Sequence, residues 1–372
     1  MKLNIAVLAG DGIGPEVTAQ AIKTLKAVGE VFNHQFTFEE ALVGAIAIDK
    51  TGNPLPDETL ELCFKSDAVL FGSIGHPKYD NDPSAKVRPE QGLLKLRKSL
   101  GLYTNIRPIK AYPTLLDKSP LKRERVEGTD MTIYRELTGG IYFGEKKLSE
   151  DGTVASDLCE YSVKEIERIA HLAFKAARTR RKKLTLVDKA NVLETSRLWR
   201  KVVTNIGKSY EDVALDFLFV DNAAMQMILG PNQFDVILTE NMFGDIISDE
   251  GSVIGGSIGL LASASIGDEN ALFEPIHGSY PQATGKDIAN PIASILSAAM
   301  LLEHFDLNDE AKAINKAVEV ALEKNIVTVD LDKDSKYGTQ KVGDFIADYI
   351  ANAEEIINYN QENIDAGRST II

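Results

Sequence analysis

Apolar positions along this chain alternate between uninterrupted short runs and recurrences every three to four residues. Leu3–Ala9 is a continuous apolar run of the kind a strand buried on both faces requires. Pro15 then suits the first turn of a helix, and Val17, Ala21, Ile22, Leu25 and Val28 follow at helical spacing. Ala68–Phe71 predicts a second buried strand. Ser162 and Glu165 have the spacing of a capping box, opening a helix whose inner face is Ile166, Ile169, Ala170, Ala173 and Phe174. Strand patterns at Leu184–Val187, Leu215–Val220 and Phe234–Leu238 each lead into a helical pattern. This alternation predicts an α/β fold with a largely parallel sheet covered by helices. The middle of the chain reads differently, with short strands expected at Thr129–Glu136, Gly140–Phe143 and Thr153–Glu160. No role is assigned to the polar, asparagine-rich residues 354–372.

Composition narrows the function classes. The 372 residues suffice for two domains, and 44% hydrophobic with 26% charged residues is the balance of a globular protein. A net charge of −14 argues against a nucleic-acid partner, because binding phosphates requires clustered positive charge. The basic run Arg178-Thr179-Arg180-Arg181-Lys182-Lys183 reads as a solvated helix end. Cys63 and Cys159 form no motif, which suits a reducing cytosol. No signal-peptide core opens the chain, and the glycine-rich apolar stretch 253–266 is too short for a membrane span. The expectation is a cytoplasmic protein with no membrane partner.

The segment GDGIGPE nearly matches the dinucleotide fingerprint, but Pro15 stands where the third glycine should be, and no suitably placed acidic residue follows. A tight strand-to-helix turn, with Gly10, Gly12 and Gly14 supplying unusual dihedrals, is the better reading. Candidate chemistry lies elsewhere. Arg97, Arg107 and Arg135 stand near segment ends, and a guanidinium fork suits carboxylates. Taken singly, each reads equally as an ion-pair partner, although Ile106 and Pro108 place Arg107 in an extended, partly buried segment. Asp245 and Asp249 lie four apart on one helical face, where they repel unless a cation neutralises them. A solvated acidic face is the plain reading; a hard cation such as Mg²⁺ or Mn²⁺ is the sharper one. Asp221 and Lys189 each follow an apolar run at a strand end, and Lys189 is either a strand-end charge or a general base.

GDGIGPEV, PEQGLLKLRKSLGLYTNIRP, YRELTGGIYFG, VDKANVLETSRLW, TENMFGDIISDEGS and FEPIHGSYPQATGKDIANPIASILSAAMLLEH follow in order over most of the chain. With these motifs the sequence resembles the β-decarboxylating dehydrogenases of the isocitrate/isopropylmalate family, nearest their isopropylmalate branch. The resemblance implies a two-domain fold distinct from the Rossmann fold. One domain comprises residues 1–102 with 256–372; the other, 103–255, carries a homodimer interface near 153–160. It implies oxidation and decarboxylation of 3-isopropylmalate in leucine biosynthesis, with NAD and with Mg²⁺ or Mn²⁺. Arg97, Arg107 and Arg135 would clamp the substrate carboxylates. Asp245 and Asp249 of one subunit, with Asp221 of the other, would hold the metal. Lys189 of the second subunit would take the hydroxyl proton with Asp221 or water as relay, and Tyr142 would protonate the enolate carbon.

The cofactor would lie against His277, Gly278, Ser279 and onward to Asn290, with Glu90 and its neighbours from residue 75 adding contacts. Gln282 departs from the family, whose NAD-using members carry an aspartate there. Glu90, Leu93, Leu94 and Arg97 share a helical face, and an apolar wall of Leu93 and Leu94 suits an isopropyl group better than a third carboxylate. Competing readings are isocitrate, homoisocitrate or tartrate enzymes of the same family and a silent regulatory subunit. A phosphoryl-transfer enzyme would need a lysine-bearing phosphate loop, which the chain lacks.

Overall fold

A computed structural model of the chain describes residues 1–81 and 85–352. The polar C-terminal residues 354–372, and residues 82–84 of the expected cofactor segment, lie outside the described residues.

Ten strands form one sheet. In spatial order they are Gln35–Glu40, Lys2–Gly10, Ala68–Ser73, Ala271–Pro275, Ala262–Ile266, Thr104–Lys110, Asp130–Glu136, Val236–Thr239, Lys183–Asp188 and Ala214–Phe219. The first four run parallel to one another, as do the last four. Between them Ala262–Ile266 and Thr104–Lys110 make three successive antiparallel pairings. Two parallel halves therefore meet at an antiparallel centre, and the chain crosses that centre at these two strands.

Each half has its own core. In one, helix Gly14–Val31 buries Ala21, Leu25 and Val28 against helices Ile292–His304 and Thr339–Ala351 and the sheet, while Val17 packs with Ile13, Ala283 and Ala289. In the other, helix Val163–Thr179 buries the five positions predicted for it around Trp199, Leu184 and Leu238. Burying a Leu, Ile or Phe side chain contributes about 1.5–3 kcal/mol, so these inner faces dictate how the helices seat. The capping box of that helix is present: Glu165 N–H donates to Ser162 Oγ at 3.3 Å, and Ser162 N–H donates to Glu165 Oε2 at 2.7 Å.

Several sequence expectations are corrected. Gly140–Tyr142 is a helical turn, not a strand, because Gly140 takes φ 74° and packs on Tyr161. Only Ala155–Asp157 of the 153–160 stretch is a strand; it pairs with Lys146–Leu148 as a ribbon exposed along both strands. Asp221 lies not at a strand end but in the first turn of helix Val220–Leu229. Gly10 and Gly12 have the positive φ expected, whereas Gly14 does not; a Cβ there would lie 2.1 Å from Ala9 O, so close packing is its reason. The basic run is no free patch. Arg178 pairs with Asp212, and Arg180 pairs with Asp130 and Asp235. No helix among the described residues is long and apolar enough to cross a membrane.

Candidate active site

The two central strands carry the arginines. Strand geometry alternates side chains, so Asn105 and Arg107 share one face of Thr104–Lys110, and Arg135 projects to the same side from Asp130–Glu136. Arg107 is buried. Its Nε donates to Asn105 Oδ1 at 2.7 Å, and its Nη1 donates to Ser248 Oγ at 2.6 Å and Asp249 Oδ1 at 3.2 Å. Arg135 is held in the same manner by an amide: Nε and Nη2 both donate to Asn241 Oδ1, at 3.1 and 2.8 Å, while Nη1 meets Asp245 Oδ1. Arg97, on helix Pro89–Ser99, pairs with Glu274 Oε1 at 2.6 Å, leaving its buried Nε without a partner.

Two buried guanidiniums side by side are costly. Desolvation lowers the Arg107 pKa, and desolvation, then the charge of Arg107, brings Arg135 down to about 10. Asp245 and Asp249 offset this from helix Asn241–Ser252, where the four-residue spacing aims both at the arginines. The Tyr142 hydroxyl completes the cluster, donating to Asp245 Oδ2 at 2.9 Å, with its own pKa raised first by burial and then by that carboxylate. A substrate carboxylate would take over the counter-charge role on the arginines and free the two aspartates for a cation. Hard carboxylate oxygens, with Asp249 largely exposed, fit Mg²⁺ or Mn²⁺.

Lys189 and Asp221 form a separate pair, Nζ to Oδ1 at 2.6 Å, in which the ammonium holds the carboxylate below its ordinary range. No direct contact joins this pair to Asp245 or Asp249, and among the described residues no three acidic, His or Cys side chains converge as a metal site. One chain thus leaves these two parts of the expected constellation without a direct contact among the described residues.

Of the residues expected to meet the cofactor, His277 and Gly278 lie beside Arg97 and Arg107. A cavity of about 170 Å³ is lined by Leu93, Arg97, Arg107, Glu274, His277 and Gly278. His277 Nδ1 donates to Gly278 O at 3.0 Å, so Nε2 is an acceptor; it is buried without a partner among the described residues, and burial keeps the ring's pKa down. An orphaned acceptor beside open space at Gly278 fits a ligand that brings a donor. Gln282 and Glu90 are exposed and do not line this cavity. Asn290 is buried and engaged, its Oδ1 accepting from Ile292 N–H at 3.0 Å and its Nδ2 donating to Asp330 at 3.1 Å. Leu94 is 44% exposed, so Leu93 alone of the leucine pair lines the cavity. The GDGIGPE turn is a neighbour: Ile13 N–H donates to Ser279 O at 2.8 Å. Asp11 accepts from Ala45, Ile46 and Gly75 N–H groups at 2.7–3.0 Å, and its carboxyl is pushed up by burial.

Sequence reasoning missed Glu274, Asn105, Asn241 and Ser248, which orient the arginines. Only Asn105, two residues before Arg107 on one strand face, had a local signal.

Clustered guanidiniums facing a carboxylate pair on a split α/β sheet suit a site for carboxylate substrates, and similarity to known proteins gives its class as a decarboxylating dehydrogenase, an oxidoreductase. The chain belongs to the isocitrate/isopropylmalate dehydrogenase family, whose pattern it matches over residues 4–346. It is 55% identical over 355 residues to the 3-isopropylmalate dehydrogenase of Bacteroides fragilis, covering 95% of this chain and all of that one. It is 51% identical to that of Aquifex aeolicus, with 94% and 97% covered. Among solved structures it resembles the isocitrate dehydrogenase of Methylococcus capsulatus, with a TM-score of 0.84 and 35% identity over 94% of this chain and 99% of that one.

Proposed function

We propose that this protein oxidises and decarboxylates 3-isopropylmalate to 4-methyl-2-oxopentanoate, the leucine-pathway reaction, using NAD⁺ and Mg²⁺ or Mn²⁺. The observation that carries this reading is the buried Arg107 beside Arg97 in a small cavity to whose apolar wall Leu93 contributes with Phe71, Ile74 and Ile276. Arginines take the two carboxylates; Leu93 offers an isopropyl group contact and a third carboxylate nothing.

The chemistry assigns roles in turn. Arg97, Arg107 and Arg135 orient the substrate and neutralise its carboxylates. Lys189, as the neutral amine and relayed by Asp221 or water, would accept the proton of the C2 hydroxyl, and NAD⁺ held in the cleft would supply the hydride acceptor. When bound by Asp245, Asp249 and Asp221, the cation supplies Lewis acidity at the hydroxyl and the developing ketone. Loss of the carboxylate β to that ketone as CO₂, from C3, leaves an enolate, whose carbon Tyr142 would protonate. The nicotinamide would lie toward Glu90 and the adenosine along His277, Gly278, Ser279, Gln282 and Asn290.

The site then needs a second copy of the chain. The ribbon Lys146–Leu148 with Ala155–Asp157 is too small to be stable alone in water, yet it exposes Leu148 and Leu158. Helices Val220–Leu229 and Asn241–Ser252 add exposed Met225, Leu229, Ile246 and Val253. An apolar surface of this extent calls for a partner. A homodimer covering it, with residues 103–255 as the interface domain and 1–102 with 256–372 as the other, would bring Lys189 and Asp221 of one chain to Asp245 and Asp249 of its partner.

The deciding assay is NADH production that requires both 3-isopropylmalate and Mg²⁺. Activity with isocitrate or tartrate instead would overturn the substrate, and no activity with any would favour a silent subunit. Two expected outcomes sharpen the assignment. Leu93→Ala should lower kcat/KM for 3-isopropylmalate more than for unbranched malate, by the equivalent of about 1–3 kcal/mol. Leu94→Ala, at an exposed position, should matter less, and equal losses on both substrates would mean a packing defect. Gln282→Asp should lower kcat/KM for NADP⁺ while sparing NAD⁺, because a carboxylate repels a 2′-phosphate and a neutral amide does not. An unchanged cofactor ratio would remove Gln282 from the ribose.

A further inference from the structure

Three groups assigned to the reaction trace back to one buried phenol. Tyr161 stands just before the cap of helix Val163–Thr179, its ring edge-on to Trp199 with centroids 5.4 Å apart. Its hydroxyl donates to Glu240 Oε2 at 3.0 Å and accepts from Asn241 N–H at 3.0 Å. No step of the proposed reaction uses it.

Both partners lead to the site. Asn241 is the amide that grips Arg135 through Nε and Nη2, and its own Nδ2 donates to Gly139 O at 3.1 Å. Glu240 Oε1 accepts from Phe243 N–H at 2.8 Å, capping helix Asn241–Ser252, which carries Asp245 and Asp249. The third link is steric. The turn that presents Tyr142 is laid on the Tyr161 ring: a Cβ on Gly139 would lie 2.7 Å from Tyr161 Cε1, and one on Gly140 2.2 Å from its Oη. Glu136, fully buried, holds the start of this turn by accepting from Thr138 and Gly139 N–H groups at 2.7–3.0 Å. At the other end the Tyr142 ring lies 5.8 Å from the Arg135 guanidinium. Tyr142 and Arg135 then meet the two oxygens of one carboxylate, Asp245. Burial, then the charges of Glu240 and Glu136, raise the Tyr161 pKa, so the phenol stays protonated and its donor direction is fixed.

We propose that Tyr161 is a positioning residue for the reaction: its hydroxyl fixes the Asn241 amide behind Arg135, and its ring sets the turn that aims Tyr142 at the substrate carbon. The inference rests on the roles given above to Arg135 and Tyr142. A phenol suits this place, because one rigid side chain supplies a flat face for a glycine turn and a hydroxyl that both donates and accepts. Without the hydroxyl, Asn241 N–H and a Glu240 oxygen are left unpaired in a buried setting, which drives both elements to shift toward other partners. Misplacing a reacting group by about 1 Å costs up to about 10²-fold in rate.

The test is Tyr161→Phe, which keeps the ring and removes only the hydroxyl. In D₂O the unmodified enzyme should add one deuterium to C3 of the product from a single face, delivered by Tyr142. Stereospecific enzymatic reduction of the product as it forms, followed by proton NMR, should then show one C3 diastereomer. Tyr161→Phe should lower kcat roughly 10- to 100-fold and give a mixture of diastereomers, because water reaches the enolate from either face. Calorimetric titration with 3-isopropylmalate and Mg²⁺, without NAD⁺, should show affinity weakened about three- to tenfold as Arg135 loosens. Gly139→Ala lifts the same turn with Tyr161 intact and should also mix the diastereomers, which keeps the test open should Tyr161→Phe not fold. Phe174→Leu, in the same apolar cluster but stacked on Tyr210, should lower the melting temperature and spare the stereochemistry. A folded Tyr161→Phe enzyme that keeps one diastereomer and the parent kcat overturns the inference, as does a folded Gly139→Ala enzyme that does so. A kcat loss no larger than that of Phe174→Leu at equal melting temperature also overturns it, since that is packing alone. A mixture from the unmodified enzyme would overturn the Tyr142 assignment, and the inference with it.

Discussion

Lys189→Ala is expected to lower kcat for 3-isopropylmalate by about 10²–10⁴-fold, the usual contribution of a positioned general acid or base, with a much smaller change in KM. The reason is geometric. Lys189 is held at 2.6 Å by Asp221, and its backbone N–H donates to Ser196 Oγ at 3.0 Å, so its ammonium is aimed at a defined point beside a carboxylate relay. Removing it leaves Asp221 facing water, not stranded in the core, because that carboxylate is 65% exposed. Stability should therefore change little, and the loss belongs to proton transfer. Partial rescue of kcat by added alkylamines would support that role. A variant with unchanged kcat and a raised KM would make Lys189 an electrostatic binder instead.

Asp245→Ala should have two effects that separate on measurement. The Mg²⁺ concentration needed for half-maximal activity should rise at least about tenfold, since one of three carboxylate ligands is gone. The melting temperature should also fall, because Arg135 loses its nearest counter-charge and Arg107 one of two, while both remain buried. Breaking a fully buried pair costs about 3–5 kcal/mol; with Asp245 32% exposed, the loss here should be a fraction of that. Asp249→Ala is the control. Asp249 is 66% exposed, so the Mg²⁺ requirement should rise with little change in melting. An unmoved Mg²⁺ titration in both variants would sink the ligand assignment. Co-expressing Lys189→Ala and Asp245→Ala chains tests the shared site: a mixed dimer has one site with both residues intact and regains activity that neither parent has. No regain would mean that each chain completes its own site.

Sequence periodicity alone established the alternating strands and helices, the capped helix Val163–Thr179, the helical spacing that puts Asp245 and Asp249 on one face, and the buried setting of Arg107. Each is a property of a few neighbouring residues, read through the two-residue or roughly 3.6-residue repeat. The strand Gln35–Glu40 escaped that reading because it lies at the sheet edge and is mostly polar. The GGIYFG segment also misled, since its glycines serve a turn packed on Tyr161 rather than a strand. Family resemblance supplied the roles of Lys189, Tyr142 and the cofactor loop, which periodicity could not. What only the tertiary structure decided is which distant groups meet: Glu274 against Arg97, Asn241 against Arg135, Ser248 against Arg107, and Tyr161 against Glu240. The antiparallel centre creates all of these by laying Thr104–Lys110 between strands that start more than twenty and more than a hundred residues further along the chain. Local periodicity records whether a side chain is buried; its partner is chosen by how whole elements pack.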